Sequence, residues 1–159
     1  MPRIGITGHA NLTPDTVPLV AAVLREVLSC ADPPLVGVTC LAPGADQLFA
    51  GIVLELGGRV KVVLPAADYR DRKVEPEDAP LFDELIGRAS AVWIMPFPWA
   101  DRTAYLAASE AMISGVDELL AVWDGCDDSR SGSTADVVRI ARARGVPVTV
   151  LWPEGARRG

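Results

Sequence analysis

The chain is poor in the residues that build metal and disulfide sites: among 159 residues there are one histidine and three cysteines. Cys30, Cys40 and Cys126 are odd in number and show no C-x-x-C spacing, so neither a disulfide framework nor a zinc set is expected, and the thiols read as reduced ones in a cytoplasmic protein. Cations are scarce as well, 15 Lys and Arg against 21 Asp and Glu for a formal charge of -6. Gripping a phosphate backbone requires clustered Lys and Arg, so this balance argues against nucleic acid as a partner. No apolar run reaches the span of a bilayer and the amino end has no signal-peptide core, so no membrane association is expected. The chain also lacks G-x-G-x-x-G, a Walker A lysine motif and any Ser/His/Asp spacing, which removes support for a nicotinamide dehydrogenase, a P-loop enzyme or a triad hydrolase. No cofactor and no metal are expected.

What is present is an ordinary globular composition, half hydrophobic, at a length that suits one domain spanning residues 1–159. Short apolar runs recur at Ile4–Thr7, Leu35–Leu41, Val60–Leu64, Ala91–Met95, Glu118–Trp123 and Val146–Leu151. They read as strands buried on both faces, the mark of a parallel sheet. Helical patterns separate them. Thr13 and Pro14 form an N-cap and N1 pair ahead of Val17, Val20, Leu24 and Val27. A second helix over about 46–56 places Leu48, Ile52 and Leu56 on one face, with Gly57-Gly58 as its C-cap. Further helices are expected over about 81–89, 102–114 and 134–144. The alternation predicts an α/β, Rossmann-like, doubly wound and mostly parallel sheet of about six strands with helices on both faces. The charged, proline-rich stretch 65–80 is either a lid or a solvated surface loop.

In such sheets ligands bind beyond the carboxyl ends of the strands, where loop amides and helix N-termini converge. Four exits follow from this. The first, Gly5-Ile-Thr-Gly8-His9-Ala-Asn11, offers a glycine for close backbone approach and two polar side chains, although His9 could equally cap its own turn. The second, Ala42-Pro-Gly44-Ala-Asp46-Gln47, supplies amides for a phosphate and a carboxylate for a ribose hydroxyl or a base; Asp46 is equally suited to be a helix N-cap. The exit Pro96-Phe-Pro-Trp99-Ala-Asp101 places an indole either against a base or against its own scaffold. The last, Trp123-Asp124-Gly125, leads to Ser131-Gly132-Ser133-Thr134, four small polar residues at a helix start that suit an anion.

The order of these motifs, Gly5-Ile-Thr-Gly8-His9, Pro43-Gly44-Ala45-Asp46, Ser114-Gly-Val-Asp117, Trp123-Asp124-Gly125 and Ser131-Gly132-Ser133-Thr134-Ala135-Asp136, resembles the SLOG superfamily over nearly the whole chain. That superfamily groups the DNA-processing DprA/Smf proteins, the "lonely guy" phosphoribohydrolases and many predicted nucleotide-binding proteins. The resemblance implies a Rossmann-like fold, a homodimer, and nucleotide contacts at Gly8, Gly44, Asp46, Gly132, Ser133 and Thr134, to which the loop reading adds His9, Asn11, Asp124, Gly125 and Ser131. Departures stand beside it. Where the phosphoribohydrolases carry an Arg-Lys pair this chain has Ala108 and Ser109, and Val137 falls where their glutamate does; Asp136, one residue earlier, is rotated by about 100° on a helix. Ala10 stands where relatives often carry a base. The expected function is therefore binding or sensing of a nucleotide or other phosphate-bearing small molecule, with N-glycosidic cleavage of a nucleoside monophosphate as the alternative. Glu110 and Asp46 are the spare carboxylates for that alternative.

Overall fold

The computed structural model describes residues 2–126 and 133–159. Six strands form one sheet: β1 (Arg3–Gly8), β2 (Val36–Thr39), β3 (Arg59–Leu64), β4 (Ala91–Ile94), β5 (Glu118–Val122) and β6 (Val148–Val150). All neighbours run parallel, in the order β4-β3-β2-β1-β5-β6. The helices between them are α1 (Thr16–Ser29), α2 (Ala45–Glu55), the short α3 (Tyr69–Lys73), α4 (Ala79–Arg88), α5 (Arg102–Ser114) and α6 (Thr134–Ala143). The expected Rossmann-like α/β architecture with helices on both faces is what the chain adopts.

The alternation of side chains along each strand divides the core in two. Ile4 and Ile6 of β1, Val60 and Val62 of β3, and Leu120 and Val122 of β5 pack with Val20, Leu24 and Leu28 of α1, Phe49 and Val53 of α2 and Phe82 and Leu85 of α4. On the opposite face Val38, Val63 and Leu119 meet Ala108, Met112 and Ile113 of α5 and Val137 and Ala141 of α6. Each residue of a strand thus serves a different layer from its neighbour, which is why the strands read as continuous apolar runs. The chain builds outward from β1 through β2 and β3 to β4, and α5 then returns it to the other side of β1, where β5 pairs. The strand order reverses between β1 and β5, and the carboxyl ends of those strands open a crevice there.

Four local expectations change. Helix α1 begins at Thr16 with Asp15 as N-cap rather than at Thr13-Pro14, because the Thr13 carbonyl first closes a turn with the amides of Thr16 and Val17. In α2 the buried residues include Phe49, Ala50, Ile52 and Val53 while Leu56 is 39% exposed; the helix is covered by α1 as well as by the sheet, which turns its apolar arc away from Leu48. The stretch 65–80 carries the helix α3, whose Tyr69 is only 4% exposed. The edge strand β4 is not buried on both faces, since Trp93 and Ile94 are half exposed, and Trp99 stands in solvent rather than on its scaffold.

The helices approach the sheet closely at Gly37 of β2. A methyl there would lie 2.8 Å from the Phe49 ring and 2.9 Å from Val53, both fully buried. Gly37→Ala is therefore expected to destabilise the protein by about 1–3 kcal/mol through overpacking, read as a lower midpoint in urea with an unchanged slope.

Candidate functional site

Two glycines set the geometry above the crevice. A Cβ on Gly8 would lie 2.5 Å from the Ala45 Cβ and 2.9 Å from the Val122 Cβ. Gly44 has φ of 80° and ψ of -124°, and a Cβ on it would lie 2.6 Å from the His9 carbonyl oxygen and 2.9 Å from the Ala10 Cα. The β1–α1 and β2–α2 loops therefore touch backbone to backbone, held further by the amide of Ala45 donating to the His9 carbonyl at 3.3 Å. Gly44 is the N-cap of α2, so Asp46 is not; it lies in the first turn, and its carboxylate turns back to accept from the Ala42 amide at 3.3 Å.

Asp46 is 5% exposed and lines a cavity of about 110 Å³ over the carboxyl ends of β1, β2 and β3. Thr7 and Gly8 form its floor, Cys40 and Ala42 one wall, Tyr69 and Tyr105 another, and Ala108, Ser109, Thr134 and Val137 the side contributed by α5 and α6. Burial, opposed by hydrogen bonds from the Ala42 amide, the Thr39 hydroxyl and the Cys40 amide, pushes the Asp46 carboxyl up to about 7. Burial and the nearby Asp46 charge raise the Cys40 thiol, which keeps it protonated and a poor nucleophile. Burial likewise raises Tyr69, with Tyr105 and Asp46 adding to it. Ser133 is the N-cap of α6, accepting from the Asp136 amide at 3.3 Å.

His9 belongs to a different construction beside the cavity. It is 7% exposed, its Nε2 accepts from the Asp124 amide at 3.1 Å, and its ring meets that of Trp152 edge-on at 5.6 Å. The Asp124 carboxylate also lies 3.3 Å from Nε2. Burial opposes the ionisation of Asp124, but the Cys126 amide, His9 and Arg158 outweigh it and hold the carboxyl below its ordinary value. Arg158 reaches the Asp124 Oδ2 and the Asn11 Oδ1, while the Asn11 amide donates to the Gly159 carbonyl at 2.9 Å.

Of the residues expected to contact a ligand, Gly8, Asp46 and Thr134 meet at the cavity. Gly44 shapes it through the loops, Ser133 caps α6, His9, Asn11 and Asp124 face the carboxyl-terminal segment, and Gly125 takes φ of 84° in the β5 exit. Ser131 and Gly132 lie outside the described residues. Sequence reasoning did not single out Cys40, Tyr69 or Tyr105. A cysteine at a strand exit and two tyrosines after strand exits were the available signals, but nothing in spacing brings them to one point. Among the described residues no group of three His, Cys, Asp or Glu could hold a metal ion, and no helix is long and apolar enough to cross a membrane.

No protein-family model matches the chain, and a search of the curated proteins gives no match. Solved structures do share its fold. DNA processing protein A (DprA) from Streptococcus pneumoniae superposes with a TM-score of 0.73 at 19% identity, over 98% of this chain and 52% of that one. DprA from Helicobacter pylori, described for its single-stranded DNA binding mode, gives 0.71 at 18% identity over 97% and 66%. The molybdenum cofactor (Moco) carrier protein from Chlamydomonas reinhardtii gives 0.59 at 18% over 94% and 75%. The chain thus spans about half the length of the first of these and about two thirds of the second. One expectation is overturned: a protein of this fold binds single-stranded DNA, so an acidic net charge is no ground for setting nucleic acid aside. Net charge sums over the whole surface, whereas phosphate contacts depend on the few groups at one face.

The buried carboxyl predicts a particular pH dependence. Between about pH 4 and pH 7 the unfolded chain releases the Asp46 proton while the folded chain keeps it, so rising pH lowers stability across that window, by about 4 kcal/mol in all, and no further above it. The stability of the wild type relative to Asp46→Asn, measured by urea titration, is expected to fall from pH 4 to pH 7 and then level off. A difference independent of pH would show that Asp46 is ionised throughout. This chain has the Rossmann-like fold seen in DprA and in the Moco carrier protein.

Proposed function

We propose that this chain is a binding or sensing protein for a nucleotide or nucleotide derivative, taken up in the crevice at the carboxyl ends of β1, β2 and β3. The observation that carries the reading is that three separate loops deliver Gly8, Asp46 and Thr134 to one cavity where the strand order reverses, the place where open parallel sheets hold ligands. The phosphate is expected at the amino end of α6, where the amides of the first turn have no helical partner.

Binding without turnover follows from what faces the cavity. Ala108 and Ser109 stand where the phosphoribohydrolases have their basic pair and Val137 where they have their glutamate, and all three line the space. Of the two spare carboxylates, Glu110 lies outside the cavity lining and pairs with Arg144, and Asp46 is engaged by the Ala42 amide. A cytoplasmic location belongs to the same reading, since the described cysteines form no disulfide. So does a dimer through α5, formed by its outer residues Leu106, Ala107 and Ala111, because Met112 and Ile113 are committed to the core.

A thermal-shift screen across nucleotides tests this. A ligand at a hundred times its Kd is expected to stabilise the protein by about 2.7 kcal/mol, and Thr134→Val is expected to weaken binding by about tenfold. Incubation with adenosine monophosphate is expected to release no free base above background; release abolished by Asp46→Asn would establish the hydrolase instead. The DprA neighbours favour a second reading, single-stranded DNA as the ligand. Fluorescence anisotropy with a labelled oligothymidine distinguishes the two: affinity that falls steeply with salt, with no response to mononucleotides, would support it.

A further inference from the structure

The cavity beside Asp46 has a chemistry narrower than its position in the fold requires. Asp46 is the one charged side chain among its described lining residues, and no Lys, Arg or His joins it. The other polar groups are the hydroxyls of Thr7, Tyr69, Tyr105, Ser109 and Thr134 and the Cys40 thiol. Its volume of about 110 Å³ is well below the roughly 300–1,000 Å³ of pockets that enclose a whole small-molecule ligand, so it admits one part of a nucleotide.

A phosphate is the wrong part. Its charge would sit beside a carboxyl with no cation to offset the loss of water, and desolvating an unpaired anion is among the most unfavourable steps available. The lining instead offers hydroxyls, each able to give one hydrogen bond and accept others, around a single strong acceptor. A carboxylate has about four acceptor positions, and the Ala42 amide occupies one on Oδ2. The carboxylate thus keeps room to accept from a donor entering the cavity that it lines. An uncharged group that donates once and also accepts from neighbouring hydroxyls fits this; a sugar hydroxyl does so, and the adjacent hydroxyl of a ribose can then exchange bonds with the others.

We propose that the cavity is a sugar subsite in which Asp46 accepts a hydrogen bond from a ribose hydroxyl, so that the protein selects ribonucleotides over their 2′-deoxy counterparts. The inference rests on the nucleotide reading above. It separates the two ends of the ligand: the sugar enters between α5 and the β2–α2 loop, and the phosphate stays outside with the α6 terminus. It also ties binding to pH, because the accepting form of Asp46 is the ionised one. The titratable groups that face it are Cys40 at the end of β2, Tyr69 on α3 and Tyr105 on α5, all neutral below pH 8, so Asp46 alone titrates in the range of interest.

Isothermal titration of the full chain with the common ribonucleoside 5′-monophosphates and their 2′-deoxy counterparts, at pH 6 and pH 8, decides the matter. The expected result is at least tenfold tighter binding of the ribose form, an affinity that rises about tenfold from pH 6 to pH 8, and loss of both effects in Asp46→Asn. Equal affinity for ribose and deoxyribose forms would overturn the sugar subsite and leave nucleotide binding standing. A ribose preference that survives in a folded Asp46→Asn protein would remove Asp46 from the subsite and overturn the assignment. If none of the nucleotides binds, the nucleotide reading itself fails and the subsite with it. Circular dichroism of the variant at both pH values keeps a folding defect from being read as loss of binding.

Discussion

Everything at the carboxyl edge of the sheet depends on how closely the first two loops approach each other. Gly8 and Gly44 leave no room for a side chain where α2 meets β1 and where the second loop passes over His9 and Ala10. That approach fixes the first turn of α2, and the first turn of α2 fixes Asp46. A carboxyl placed two residues into a helix would ordinarily point to solvent. Here the loop folds over it, the Ala42 amide turns to meet it, and Tyr69 and Tyr105 close the other side. The glycines that the sequence suggests for ligand contact thus act on backbone packing, and through it they set the place of Asp46.

The crevice is divided between two kinds of polar construction. On the side of β5, His9, Asp124, Arg158 and Asn11 bind one another, and the carboxyl-terminal segment is laid against the first loop by the bridge between Leu12 and Arg158. These groups largely satisfy each other, which stiffens the rim and leaves little of them for a ligand. On the side of β2 and β3, an acid with few charged neighbours looks into a space lined by hydroxyls.

The same frame is compatible with more than one ligand, as its structural neighbours illustrate: one is described for binding single-stranded DNA and another for carrying the molybdenum cofactor. In such a frame the side chains at the loop ends and helix starts are what a ligand meets. In this chain those side chains are small and uncharged on α5 and α6, namely Ala108, Ser109, Thr134 and Val137. Such a set can shape and hydrogen-bond a ligand.

The sequence by itself determined the strand and helix alternation, the parallel character of the sheet and the positions of its loops. Apolar runs of strand length and the 3.6-residue pattern of the helices are local consequences of burial, and they can be read without knowing what lies across the sheet. It also pointed to Gly8, Asp46 and Thr134, which line one cavity, because residues at strand exits and helix starts occupy predictable places. Tertiary structure alone decided that Cys40, Tyr69 and Tyr105 share a cavity with them, that Met112 and Ile113 of α5 face inward, and that β4 is an exposed edge. It also decided that His9 and Asn11 serve the carboxyl-terminal segment. Each of these depends on strand order and on contacts between residues as far apart as Asn11 and Gly159. A carboxyl moved toward neutrality is likewise a property of burial, which no spacing in the sequence encodes.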